Sequence, residues 1–234
     1  MITLDKITVA FDSKTLLQSA DCTFKRGTLT ALVGRNGAGK SSLLRILAAV
    51  DAPKEGQVLV AGEPLHRMAA EERAKVISFV STHRVRVANL RCEDVVATGR
   101  APYTNWIGKI SAQDSEIIGR SLAAVGMSAF ATRAIDTLSD GEFQRIMIAR
   151  ALAQQTPIIL LDEPTAFLDI PTRFEICRLL AELAHNQGKT IIFSTHDIDA
   201  ALSVCDSVAI MDSGSISVHS ADNAAGVLKE LFSL

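Results

Sequence analysis

Residues 34–41 read Gly-Arg-Asn-Gly-Ala-Gly-Lys-Ser, between an apolar run, Leu29 to Val33, and a segment with helical spacing, Ser41 to Val50, that stops before Pro53. No other stretch constrains the fold as strongly. A G-x-x-x-x-G-K-[ST] loop that turns a buried strand directly into a helix belongs to an α/β sheet. Its chemistry is that of an anion cradle. Glycines let backbone N–H groups close on phosphate oxygens, Lys40 neutralises charge, and the Ser41 hydroxyl is placed for Mg²⁺. Gly34, Arg35, Asn36, Gly37, Ala38, Gly39, Lys40, Ser41 and Ser42 are therefore the expected nucleotide-binding residues, and a nucleoside triphosphate the expected ligand.

Three further apolar runs, Val76 to Val80, Ile158 to Leu161 and Thr190 to Thr195, read as buried parallel strands. A helix is expected from Pro171 to Gln187, capped by Asp169 and stopped by Gly188. The start differs. Ile2 to Phe11, Thr23 to Lys25 and Gln57 to Val60 read as strands without room for crossover helices, which predicts a flanking antiparallel β layer. Between Val85 and Gln155 helical stretches replace strands, among them Gln113 to Val125 with Ser111 as cap and Gly126 as terminator. Asp212-Ser213-Gly214 reads as a hairpin turn between Val208 to Met211 and Ser215 to Val218, and the tail from Ser220 to Leu234 as too short for a regulatory domain. The expectation is one α/β domain over residues 1–234, with a core of 1–84 and 156–234 and an inserted α-helical subdomain over about 85–155.

Composition excludes several classes. At 234 residues, 48% hydrophobic and 21% charged, the chain is expected to be one large globular domain rather than a disordered or coiled-coil protein. A formal charge of −2 calls for neither nucleic acid nor an anionic membrane. Cys22, Cys92, Cys177 and Cys205 form no C-x-x-C pair and read as reduced packing residues. No apolar run approaches the ~18 residues of a spanning helix, and Asp5 and Lys6 interrupt the N-terminal apolar pattern that a signal peptide requires. The expected location is cytosolic, with any membrane association running through another protein.

Ile158 to Leu161 delivers two adjacent carboxylates, Asp162 and Glu163, at the strand end where α/β sheets place ligands. Asp162 is expected to hold Mg²⁺ through water, and Glu163, on the other side of the pleat, to polarise an attacking water as general base. That pair points to hydrolysis. Leu138-Ser139-Asp140-Gly141-Glu142 opens a helix expected over Phe143 to Ala153. Taken alone, Ser139-x-x-Glu142 is a capping box.

With the other motifs beside it, this stretch resembles the signature of the ABC transporter ATPases, Leu-Ser-Gly-Gly-Gln, matched at Leu138, Ser139 and Gly141 with departures at Asp140 and Glu142. The resemblance covers nearly the whole chain and implies a P-loop (RecA-like) parallel sheet with ATP and Mg²⁺ as cofactors. It implies that Phe11 stacks on adenine, that Ala166-Phe167-Leu168-Asp169 is the D-loop, and that His196 is the switch histidine that reaches the γ-phosphate. It implies head-to-tail dimers in which each nucleotide lies between the P-loop of one subunit and the signature of the other. Asp140 then brings a carboxylate towards a γ-phosphate. Where the family has a Gln that contacts Mg²⁺ and the attacking water, this chain has Thr82. A threonine hydroxyl reaches shorter by about two bonds, so slower or differently gated hydrolysis is expected.

Val95 to Tyr103 resembles the Gly-Arg-x-Pro-aromatic stretch of ATPases from importers of iron chelates, haem and cobalamin, and Phe167-Leu168-Asp169-Ile170 is common in the same group. The resemblance implies an importer ATPase for an iron-siderophore, haem or cobalamin-type chelate. Such a subunit sits at the cytoplasmic face of the cell membrane, peripheral through permease subunits and served indirectly by a substrate-binding protein. His83, Arg84, Arg86 and Arg91 either meet the permease or are solvated. Two other readings stay open, a soluble ABC ATPase not coupled to transport and a nucleotide-sensing scaffold that binds without turnover. A small P-loop kinase leaves the signature and the D-loop unexplained.

Overall fold

The computed structural model describes residues 1–11, 14–82, 89–104 and 108–232, with the backbone alone for residues 11 and 232. The chain opens with β1 (Ile2–Phe11), β2 (Lys14–Phe24) and β3 (Leu29–Gly34), then α1 (Lys40–Leu47), β4 (Glu55–Val60) and the short β5 (Glu63–Pro64). It continues through α2 (Ala70–Val76) and β6 (Ile77–Val80) to three helices, α3 (Cys92–Ala97), α4 (Ala112–Ala124) and α5 (Asp140–Ala153). The remainder is β7 (Ile158–Leu161), α6 (Ile170–Gln187), β8 (Thr190–Ser194), α7 (Ile198–Val204), β9 (Ser207–Asp212), β10 (Ser215–Ser220) and α8 (Ala221–Phe232).

Six strands form one sheet in the order β10-β9-β3-β8-β7-β6, parallel except for the β9–β10 hairpin, and four form an antiparallel sheet, β2-β1-β4-β5. Alternation along the central strands explains why their runs are apolar throughout. Leu29, Ala31 and Val33 face one core with Ile159, Leu161, Ile191 and Phe193, while Leu32, Leu160 and Ile192 face a second core that they share with α1 and the antiparallel sheet. Both faces of the parallel sheet are covered, so period 2 sorts residues between two interiors rather than between core and solvent. The first core also takes in Val95, Ile117 and Ile146 from α3, α4 and α5, so the helical insertion is packed as one body with α6 and the sheet.

Several elements differ from the sequence expectation. The strand expected over Thr23 to Lys25 is the end of the eleven-residue β2, whose burial follows no simple alternation. Left-handed residues at Lys6 and Ser19, with register shifts along β1, twist the pair out of period 2 and hide the strand. Helix α1 ends at Leu47 rather than Val50, because Ala49 turns left-handed (φ 52) while its N–H and that of Val50 bond back to Ile46 and Arg45. Val76 closes α2 instead of opening β6. The segment after Ser220 is a helix, α8, that buries Ala224 and Leu228 against the first core. All four cysteines are free thiols, and burial pushes Cys177 up to about 11.

The Gly-Arg-x-Pro-aromatic stretch is a short 3₁₀ turn, Thr98–Tyr103, that locks the helical insertion. Arg100 is 4% exposed; its Nε donates to Asp114 Oδ1 at 2.8 Å, and its Nη1 to Ala153 O at 2.7 Å and Gln155 Oε1 at 2.9 Å. Tyr103 stacks 4.0 Å from that guanidinium and donates its hydroxyl to Gln154 O at 3.0 Å. The Asp114 carboxyl, bonded first by the Ser111 hydroxyl and backbone and then by Arg100, is held down to about 2.

Candidate nucleotide and catalytic site

The Gly-rich loop joins β3 to α1 as its spelling requires. Gly39, at φ 98, is the cap residue of α1, and a Cβ there would press to 3.0 Å against Leu16 of β2. The left-handed turn and the close strand together restrict the position to glycine. Lys40 opens the helix and is only 6% exposed, with Nζ donating to Gly34 O at 2.8 Å and Arg35 O at 3.4 Å. Burial lowers its pKa, opposed by the nearby charges of Glu163 and Asp162. The Arg35 guanidinium donates to Leu231 O of α8 at 3.0 Å and so braces the loop from outside.

Parallel pairing brings the other motifs to the same sheet edge. Asp162 follows β7, which lies between β6 and β8, and its N–H donates to Val80 O at 2.8 Å. Asp162 Oδ1 accepts hydrogen bonds from Ser41 Oγ at 3.0 Å and Ser194 Oγ at 2.7 Å. Ser194 Oγ in turn accepts from the Glu163 N–H at 2.8 Å. Glu163 is left-handed at φ 48, a strained conformation for a non-glycine residue that the Ser194 contact helps to fix. His196 Nε2 lies 2.7 Å from Glu163 Oε1. A cleft of about 460 Å³ is lined by Gly37, Gly39, Lys40, Ser41, Glu163 and His196, together with Lys14 and Leu16 of β2.

Thr82 stands exposed two residues past β6, at the same edge as Asp162. Asp169 caps α6, accepting the Thr172 N–H at 3.1 Å, and the Thr172 hydroxyl, together with this bond, holds its carboxyl below the usual range. Phe167 before it is 87% exposed, and Ile170 after it is 66% exposed. The stretch 138–142 does not line the cleft. Ser139 caps α5 with a reciprocal capping box, Glu142 N–H to Ser139 Oγ at 3.3 Å and Ser139 N–H to Glu142 Oε2 at 2.8 Å, and the second bond holds Glu142 low. Leu138 is buried beneath it, and Asp140 and Gly141 form the first turn. The Phe11 side chain and residues His83, Arg84 and Arg86 lie outside the described residues; Arg91 pairs with Glu93 at 3.4 Å. Sequence reasoning missed Ser194, which binds both Asp162 and Glu163; the sequence marks it only as a hydroxyl closing the apolar run 191–193.

The match to known proteins agrees with this geometry. The family model described as ABC transporter matches residues 17–166. The chain belongs to the ABC transporter family. It is 36% identical to the achromobactin transport ATP-binding protein of Dickeya dadantii, over 88% of this chain and 76% of that one. It is 33% identical to the petrobactin import ATP-binding protein of Bacillus anthracis, over 92% and 79% of the respective chains. A solved structure described as a metal-chelate type ABC transporter, in an inward-facing conformation, superposes with a TM-score of 0.87 at 26% identity, covering 100% of this chain and 89% of that one. A dimeric ATP-binding cassette bound to ADP and Pi after hydrolysis superposes at 0.80 with 27% identity, covering 94% and 99%. The ABC chain is thus an ATP-binding subunit with ATPase activity. Among the described residues no helix is long and apolar enough to cross a membrane.

Proposed function

We propose that this ABC ATPase powers an importer of a metal chelate of the siderophore, haem or cobalamin class, through permease subunits at the cytoplasmic face of the cell membrane. The relatives named for siderophore, iron-hydroxamate and cobalamin import support the substrate class, each 32–36% identical. A substrate-binding protein delivers the chelate to the permease.

One observation carries the catalytic reading: Ser41, Asp162, Ser194, Glu163 and His196 form a continuous hydrogen-bonded row beside the buried Lys40. The donor set suits Mg²⁺, which takes oxygen ligands and keeps several waters and phosphate oxygens, so a hydroxyl and one carboxylate suffice. Ser41 would hold the ion and Asp162 would reach it through water; when bound it supplies charge to the β- and γ-phosphate oxygens. Residues 34–42 bind the ATP phosphates and Phe11 takes the adenine. Glu163 accepts the proton of the attacking water on a carboxylate of which only Oε1 contacts His196 here. His196 then turns its ring nitrogen to the γ-phosphate.

Two copies pair head to tail, so that 138–142 of one subunit closes over the ATP of the other. The absence of 138–142 from the cleft and the exposure of Phe167 and Ile170 support a second copy covering this face. Multiple-turnover phosphate release tests the enzyme reading. Steady release by the wild type, lost in Glu163→Gln, is expected; ATP binding without release would leave the nucleotide-sensing scaffold.

A further inference from the structure

Inside one subunit, α5 and α6 are joined at their first turns. A Cβ on Gly141 would stand 2.7 Å from Thr172 Cγ2, so the two turns lie directly on each other. One turn on, Arg145 Nη2 donates to Glu175 Oε2 at 2.7 Å. From α6 the connection runs on through Arg173, whose Nη2 donates to Leu168 O at 3.0 Å and whose Nη1 donates to Asp197 Oδ2 at 2.7 Å. The other Asp197 oxygen caps α7 by accepting the Ala200 N–H at 2.9 Å, and Asp197 follows His196 directly in the chain. Burial opposes ionisation of Asp197, but the Ala200 and Arg173 bonds outweigh it and hold its carboxyl low.

Arg173 forms the wall of a cleft of about 640 Å³ that also exposes Glu163, Phe174, His196 and Asp199. Its Nε is buried without a hydrogen-bond partner among the described residues. A guanidinium that leaves one donor unsatisfied is poorly explained by stability alone. What it does achieve is to span, from α6, two loops: the one carrying Phe167 and Leu168 and the one carrying His196 and Asp197.

We infer that Arg173 is a positioning residue, the strut through which the 138–142 turn and the Leu168 loop of a subunit set the placement of its own His196 and Glu163. The inference rests on the head-to-tail pairing proposed above. When a partner's nucleotide moves the α5 turn, α6 carries the displacement to Arg173, and Arg173 carries it to the start of α7. The two ATP sites of a dimer are thereby linked through a side chain that touches neither nucleotide.

The test is a double-mutant cycle on ATP turnover with Arg173→Met, Asp197→Asn and both. Asn keeps an oxygen to cap α7 while losing the charge that Arg173 grips. Arg173→Met is expected to lower kcat on the order of 100-fold, the scale of a misplaced reacting group, with KM for ATP nearly unchanged, and Arg173→Lys to restore part of the rate. The double variant is expected to be no slower than the slower single one. An unchanged kcat in Arg173→Met, fully multiplicative losses in the double, or a fall in ATP binding parallel to the fall in rate would each overturn the strut. A separate arm follows pairing of Glu163→Gln by mass with Mg-ATP: no pairing alongside an intact non-additive cycle would overturn the input from 138–142 and the head-to-tail reading, while leaving Arg173 as the residue that places His196 within one chain.

Discussion

Lys40 and Arg100 are both cations sunk to about the same depth, 6% and 4% exposed, yet their surroundings are opposite. Arg100 is completed by the protein itself, with a carboxylate, a carbonyl, an amide oxygen and a stacked tyrosine around it. Lys40 is given two loop carbonyls, and burial draws its pKa down. A buried charge that folding has satisfied is architecture. One that folding has left to carbonyl dipoles, beside glycine N–H groups, is prepared for an anion that arrives later. The helical insertion and the Gly-rich loop thus use the same chemistry, the one for a fixed joint and the other for the binding site proposed above.

The contrast breaks first at Arg100. Arg100→Met strands Asp114 in the interior and is expected to cost about 3–5 kcal/mol, read as a lower urea midpoint, whereas ATP turnover per folded molecule holds. Lys40→Met is expected to do the reverse, lowering turnover by at least about 100-fold, the scale of a lost charge-stabilising donor, with the urea midpoint unchanged or raised. Equal midpoints for the two variants would erase the distinction. A smaller effect separates the insertion from the strand edge: Thr82→Gln, which lengthens the side chain at the end of β6, is expected to raise basal ATPase several-fold by reaching the metal and water. An unchanged rate would show that Thr82 does not limit hydrolysis.

The smallest effect is in acid. The Asp114 carboxyl sits at about 2 against an ordinary 3.8, so between these values the unfolded chain binds the extra proton. Its contribution to stability is therefore present above 3.8 and lost as pH falls towards 2. Asp114→Asn should flatten that part of the pH–stability curve, measured by urea titration at stepped pH; a curve parallel to the wild type would mean that neither Ser111 nor Arg100 holds the Asp114 carboxyl down.

What the sequence disclosed was local. The Gly-rich loop before α1, the Ser111 and Asp169 caps and the capping box at Ser139 are each written within eight residues, and the structure forms them where they are spelled. The chemistry missed lies between distant residues. Ser194 meets Asp162 across two neighbouring strands, and nothing in either strand alone announces the pair. Arg100 was legible as a family spelling but not as a joint, because its partners Asp114, Ala153 and Gln155 lie on α4, at the last residue of α5 and just past it. Helix α8 carried a visible signal, Ala224, Val227, Leu228 and Leu231 on one stripe, that its terminal position obscured. Strand β2 gave no clean signal, since its bulges spoil the alternation that marks a strand.

The central claim is that one chain holds two halves of different ATP sites, the Lys40–Glu163–His196 cleft and the 138–142 turn. It is tested most directly by the solution mass of Glu163→Gln with and without Mg-ATP. The account predicts a shift from 25.0 kDa to about twice that mass on adding Mg-ATP, reversed when the nucleotide is removed. A mass that stays at 25.0 kDa while bound ATP is demonstrated on the same sample would contradict it.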